Sequence, residues 1–365
     1  LDERIGAIAL LVYSDSMNAS PLDLSCPMPT QRYPHILMAH GGGGRLMQQL
    51  ITDLFLPTFG DPQAVLHDAT VLPIATGKIA MTTDSYVVSP LFFPGGDVGS
   101  LAIYGTVNDL AMAGAVPTYL SVGFILEEGL AMETLWRIVQ SMKYAAEQAQ
   151  VRIVTGDTKV VERGKGDGIY INTAGVGLIH HTLDIQPRSL HVGDAILLNG
   201  DLGRHGMAIM AARHELEFET PLNSDSAPLS AAVQAMLQAG IEIHCLRDLT
   251  RGGLSSTLNE LAIAAQLGME LEESAIPILP AVQGACEILG FDPLYIANEG
   301  RMVVILPAEQ ADHALDILRC YQTDTTPCRI GTVTSNHPGQ VILNSRVGAS
   351  RVVDMLSGEQ LPRIC

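Results

Sequence analysis

The sequence predicts a two-domain protein in which each domain combines α-helices with β-strands. Three observations carry this expectation. A chain of 365 residues exceeds what one hydrophobic core usually serves. From His35 onward, short β-branched runs alternate with segments of helical periodicity. Near mid-chain that alternation is interrupted at Gln186-Pro187-Arg188, which reads as a connection. Apolar residues make up 47% of the chain and charged residues 16%, without charge blocks or low-complexity tracts, so long disorder is excluded.

Residues 1–34 carry an apolar start and a Ser/Pro/Met-rich stretch with no sustained period, and stand as an unassigned N-terminal extension. The first domain is placed at 35–183. Within it, Ser100 to Ala113 reads as a small, apolar helix. Leu135, Ile138, Val139, Met142, Ala145, Ala146 and Ala149 mark the apolar face of another, followed by the strand Val151 to Val154. The second domain, 184–343, opens with the strand Ala195 to Leu198. A Gly-rich turn from Gly200 to Gly206 then leads into a helix from Met207 to His214. A helix follows Gly252-Gly253, with Leu254, Leu258, Leu261 and Ala265 on one face, and Pro307 is placed as the first residue of another. Residues 344–365 form a C-terminal tail. At ~3.3 to 3.6 Å per residue, it is long enough to carry a terminal thiol between an internal site and an external partner.

Twenty-one basic against 39 acidic residues give a net charge of -18, which disfavours nucleic acid and anionic membrane surfaces as partners. The longest apolar run, Ile5 to Tyr13, is far short of the ~20 residues of a spanning helix. No basic leader with a small-residue cleavage site is recognisable, which argues against a signal peptide. Six scattered cysteines without a CxxC pair fit a reduced, cytoplasmic enzyme better than a disulfide framework or zinc ribbon.

Several segments could carry chemistry. Gly41-Gly42-Gly43-Gly44, ahead of a helical pattern, could present backbone N–H groups to phosphates or serve as a hinge; Arg45 follows where a Walker loop would need Lys-Ser/Thr. Asp84, Asp157 and Asp248 lie at the ends of extended segments or in Gly-rich turns, and Asp109 lies inside the apolar helix. Singly each fits a cap or turn. Jointly they offer an oxygen-ligand set for magnesium shared with nucleotide phosphates. Lys159 and Glu299 beside such a site would be usable proton acceptors, or else ordinary charged residues. Gly200, Gly203 and Gly206, with Arg204 and His205 between them, read as a structural turn, because GxxGxxG is not the dinucleotide fingerprint. Cys365 ends the sequence and is either an idle thiol or the cargo end of a swinging arm.

Taken in order, these segments resemble one family. They are His40 to Gly44, Thr82-Thr83-Asp84-Ser85-Tyr86, Pro90 to Gly96, Gly105-Thr106-Val107-Asn108-Asp109, Gly123 to Gly129, Thr155-Gly156-Asp157-Thr158-Lys159-Val160-Val161, Arg247-Asp248 with Thr250 to Gly253, Asn298-Glu299-Gly300 and the ending Pro362-Arg363-Ile364-Cys365. The family is that of the HypE hydrogenase maturation factors, carbamoyl dehydratases of the PurM-like, ATP-using superfamily. The resemblance spans about residues 36 to 365 and is thinner from Leu222 to Ile243.

It implies a PurM-like α+β fold, with ATP and Mg2+ held by the N-terminal domain and a homodimer whose N-terminal sheets join. It further implies that a HypF-type carbamoyltransferase loads Cys365, and that a HypC–HypD-type iron scaffold complex receives the cyanide. By this resemblance His40, Gly41 to Gly44, Asp84, Asn108, Asp109, Gly156, Asp157 and Thr158 bind the nucleotide. Asp84, Asp109, Asp157 and Asp248 take the metal role, while Lys159, Glu299 and Cys365 are catalytic. Selenophosphate synthetases share the superfamily, but they present a reactive Cys or Sec beside the Gly-rich loop, and Cys26 lies outside the His40 to Arg45 neighbourhood. A nucleotide-gated carrier that performs no dehydration is the other alternative.

Overall fold

The computed structural model describes residues 33–37, 40, 50–59, 77–214, 222–321, 325–355 and 364. Its first half comprises, in chain order, β1 (Lys78–Tyr86), the short hairpin β2 (Phe92–Phe93) and β3 (Gly96–Asp97), α1 (Val98–Met112), β4 (Val116–Glu127), α2 (Met132–Gln148), β5 (Arg152–Val161) and β6 (Ile169–Ile179). Four strands form a sheet in the order β1-β6-β4-β5. Only β4 and β5 are parallel, and α2 supplies the crossover that a parallel pair requires.

Alternation along these strands decides which face is covered. Leu120, Val122, Phe124 and Leu126 of β4 and Ile169, Ile171 and Thr173 of β6 are buried under the helices. The opposite face shows Ile79, Met81 and Ile125, respectively 54%, 73% and 44% exposed.

Helix α1 is apolar all round and almost wholly buried, as a helix enclosed on every side must be. It starts two residues earlier than the sequence suggests because Asp97 caps it. The Asp97 carboxylate accepts from the amides of Gly99 and Ser100, while the Ser100 hydroxyl accepts from the Asp97 amide.

The second half runs β7 (Ala195–Leu198), α3 (Arg204–Arg213), α4 (Ser230–Gln238), β8 (Cys245–Asp248), α5 (Gly253–Ala265), β9 (Gly268–Glu272), α6 (Pro280–Leu289), β10 (Met302–Leu306), α7 (Ala311–Arg319), β11 (Cys328–Thr334), β12 (Val341–Asn344) and β13 (Ser350–Val353). The strands form one sheet in the order β13-β12-β9-β11-β7-β10-β8. Central strands β7 and β10 are buried at every residue, because both faces are covered. Ile196, Leu198, Val303 and Ile305 face Leu254, Leu258 and Leu261 of α5. Their alternates Ala195, Leu197, Met302 and Val304 meet Val233 and Met236 of α4, Leu315 and Leu318 of α7, and Ala111 and Met112 of α1. Helix α1 therefore belongs to the cores of both halves.

Further sequence expectations shift. The strand expected at Val151 to Val154 runs from Arg152 to Val161, so Asp157 and Lys159 lie within it and not after it. Helix α3 begins at Arg204, within the expected turn, because Gly203 takes the left-handed backbone that caps it. Pro307 is extended and precedes a 3-10 turn, so α7 starts at Ala311. Residues from Asn344 are in part hairpin rather than tail, since β13 pairs antiparallel with β12. No described helix is long and apolar enough to cross a membrane.

Candidate active site

The two halves meet along α1, and acidic side chains gather at that seam. Asp84 and Thr82 sit on the helix-facing side of β1, and the Thr82 hydroxyl donates to the Asp109 carboxylate at 2.8 Å. From the other half come Asp248, at the end of β8, and Glu299, in the loop leading to β10; both are buried. Asp225, from the loop before α4, completes the group. Its carboxylate accepts from the Gly300 amide at 3.1 Å and lies 3.9 Å from the buried Arg301 guanidinium.

The members of the group influence one another's charge. Burial, then the charge of Asp109, push Asp248 up to about 7. Glu299 is raised well above the usual carboxylate range, first by burial and then by Asp248, Asp225, Asp84 and Asp109. Asp109 is raised by burial and by Asp84, with the Thr82 hydroxyl and Arg247 and Arg251 opposing. Glu299 Oε1 and Asp225 Oδ1 are buried without a hydrogen-bond partner among the described residues. These carboxylates make one acidic seam in which Glu299 and Asp225 each keep an orphaned oxygen, but no three of them bring their oxygens within 4.8 Å of one another, so the seam is not a preformed cation site.

Other expected residues are placed differently. Asn108 spends its carboxamide on the seam: it donates to the carbonyls of Ala227 and Glu299 at 3.0 and 3.2 Å and accepts from the Leu229 amide at 2.8 Å. It clasps the halves together and thereby fixes the backbone of Glu299. His40 is buried, and its Nδ1 accepts from the Leu37 amide at 2.9 Å; burial lowers its pKa. Gly41 to Gly44 and Cys365 lie outside the described residues.

Thr158 is buried on the helix side of β5, whereas Asp157 and Lys159 are exposed on its open side. A Cβ at Gly156 would lie 2.4 Å from the Val122 carbonyl oxygen, so close approach of β5 to β4 explains this glycine. Strand β5 is the far edge from β1. Three strand spacings, about 14 Å, separate Asp157 from Asp84 within one chain, so Asp157 and Lys159 stand apart from the carboxylate cluster.

One feature went unread in the sequence. His205, in the first turn of α3, is fully buried; its Nδ1 lies 2.9 Å from Ser224 Oγ and its Nε2 lies 2.9 Å from the carbonyl oxygen of Ile364. The Ile364 side chain is itself 3% exposed and belongs to an apolar cluster that also takes in α3 and α6 of the second half. The residue before Cys365 is therefore anchored inside the molecule through His205, whose other nitrogen meets Ser224, the residue next to Asp225.

Comparison with known proteins agrees with this architecture. Residues 66–179 match the AIR synthase related protein N-terminal domain, and residues 191–344 match the corresponding C-terminal domain. The carbamoyl dehydratase HypE of Azotobacter vinelandii is 51% identical over 329 residues, 90% of this chain and 96% of that protein. The chain belongs to the HypE family of carbamoyl dehydratases. A crystal structure of the hydrogenase maturation protein HypE in complex with ATP superposes with a TM-score of 0.86 at 48% identity, covering 90% of this chain and 99% of that one. The structure of a HypE–HypF complex is similar at a TM-score of 0.74 and 42% identity, covering 86% of this chain and all of that one. The two-domain α+β fold of the family is thus the fold of this chain.

Proposed function

We propose that the chain uses ATP to dehydrate a carbamoyl group carried on the Cys365 sulfur, giving a thiocyanate whose cyano group becomes an iron ligand of a nickel-iron hydrogenase. The burial of Ile364, held through its carbonyl beside the carboxylate cluster, carries this reading, because peptide geometry keeps Cys365 within one residue of that anchor. The similar HypE with bound ATP supports a nucleotide site, and the similar HypE–HypF complex supports loading of Cys365 by a HypF-type carbamoyltransferase. The cyano group would then pass to a HypC–HypD-type scaffold.

The reaction has two bond changes. The carboxamide oxygen attacks the γ-phosphorus of ATP, a C–O–P linkage forms, ADP leaves and the nitrogen loses one proton. The C–O bond then breaks, inorganic phosphate departs with that oxygen, and loss of the second nitrogen proton completes the nitrile. Phosphorylation turns a poor leaving group into a good one.

Glu299 suits the proton-accepting role: it is buried, carries an unpartnered oxygen, and burial and the neighbouring carboxylates raise its proton affinity. Asp84, Asp109 and Asp248 would hold magnesium, which when bound neutralises charge on the phosphoryl oxygens. Enclosure at the seam excludes water, which would otherwise hydrolyse the phosphorylated intermediate.

Asp157 and Lys159 enter through a homodimer. They share the open sheet face with the exposed Ile79, Met81 and Ile125, an apolar surface of the kind a second copy would cover. A two-fold pairing of these sheets would put Asp157 and Lys159 at the interface, and for them to serve the partner's site they must reach its carboxylates around the β1 edge of the sheet.

Mass measurement of the carbamoylated full chain after addition of ATP and magnesium tests the reading. Cys365 should lose the mass of one water. An unchanged mass with ATP bound would instead leave the chain a carrier.

A further inference from the structure

His205 makes contacts that the chemistry above does not use. A carbonyl oxygen can only accept, so the 2.9 Å contact with Ile364 places the proton on His205 Nε2. Burial lowers the His205 pKa and keeps the ring neutral, so Nδ1 is a lone pair and accepts from the Ser224 hydroxyl at 2.9 Å. The Ser224 oxygen accepts in turn from the Ser226 amide at 3.1 Å. Every donor in this relay has one direction available.

The relay is braced from the other half of the molecule. The Phe93 ring stands edge-on to the imidazole, with centroids 5.5 Å apart. Pro94 accepts from the Ser224 amide at 2.8 Å, and Gly95 lies so close to Ser224 that a Cβ would sit 2.7 Å from its nitrogen. Hairpin β2–β3, helix α3 and the 222–229 loop thus converge on one backbone carbonyl, that of the residue before Cys365.

We infer that His205 is a positioning residue whose Nε2–H latches the Ile364 carbonyl and holds the Cys365 cargo at the seam during dehydration. This rests on the function proposed above for Cys365. The latch grips backbone, so it works whether the sulfur carries hydrogen, carbamoyl or cyanide. A single neutral hydrogen bond is strong enough to seat the chain end and weak enough to release it to a partner.

The test compares His205→Phe, which keeps a ring against Phe93 without the donor, with His205→Gln, which returns an N–H near the Nε2 position. Full-length proteins are alkylated with iodoacetamide and the rate at Cys365 is read from its C-terminal peptide. Separately, carbamoylated proteins are turned over at saturating ATP. His205→Phe should raise the alkylation rate about tenfold and slow dehydration about tenfold, the worth of one buried hydrogen bond, with the KM for ATP unchanged. His205→Gln should restore both to within about twofold.

Wild-type rates in folded His205→Phe, or His205→Gln behaving like His205→Phe, would overturn the inference. If His205→Phe does not fold, Ser224→Ala decides: faster alkylation supports the latch and an unchanged rate refutes it. Should the wild type form no thiocyanate, the dehydratase reading fails, while the alkylation arm still judges the latch.

Discussion

Replacing Asp248 by Asn in protein stripped of metal removes a charge that the seam tolerates poorly. Burial and the neighbouring Asp109 raise Asp248 from its ordinary 3.8 to about 7. Because the folded value lies above the unfolded one, the folded state keeps its proton after the unfolded chain has lost it. Stability therefore falls as pH rises from about 4 through about 7, and the loss is complete above that window. A shift of about three units at 1.36 kcal/mol each gives an upper limit of ~4 kcal/mol. Urea unfolding of wild type and Asp248→Asn with a chelator present, at pH 5 and pH 8, measures it. The variant should gain on the wild type as pH rises, by up to ~4 kcal/mol. Magnesium with ATP should then restore the wild type at pH 8 and leave the variant behind. A stability difference that does not change with pH would refute the reasoning, since the Asp248 charge would then be compensated within the apo fold.

Two further outcomes are expected. Glu299→Gln keeps size and hydrogen-bonding shape but cannot accept a proton, so single-turnover dehydration should drop by about 10² to 10⁴. Equilibrium dialysis should show ATP still bound; an active Glu299→Gln would remove Glu299 from the chemistry. Mixing separately inactive Asp84→Asn and Asp157→Asn chains should restore about a quarter of wild-type activity, because half the dimers would be hybrids with one intact site each. Absence of any restored activity under conditions of subunit exchange would contradict a shared site.

Much of the frame was legible in the residues. The run Ala195 to Leu198 is a strand over that same range, since four consecutive apolar residues between polar flanks suit a strand buried on both faces. The α2 face read from Leu135 to Ala146 is the buried one. Asp84, Asp109, Asp248 and Glu299, more than 200 residues apart at the extremes, line the same seam and influence one another's charge.

What escaped the sequence has physical causes. Asp225 sits in an irregular loop where neither period nor resemblance gave a signal. Asn108 looked like a nucleotide ligand because its motif adjoins Asp109, yet its neighbours across the seam consume its carboxamide. His205 was hidden in a glycine turn, and its partner, the Ile364 carbonyl, lies 159 residues away in sequence. Asp157 and Lys159 were grouped with the other site residues by motif, but strand order sets them at the opposite sheet edge.

The claim on which all this depends is that ATP activates the carboxamide oxygen itself. Loading Cys365 with a carbamoyl group labelled with oxygen-18 and adding ATP and magnesium tests it most directly. The inorganic phosphate released should carry the label. Label recovered in water, with unlabelled phosphate, would contradict the account.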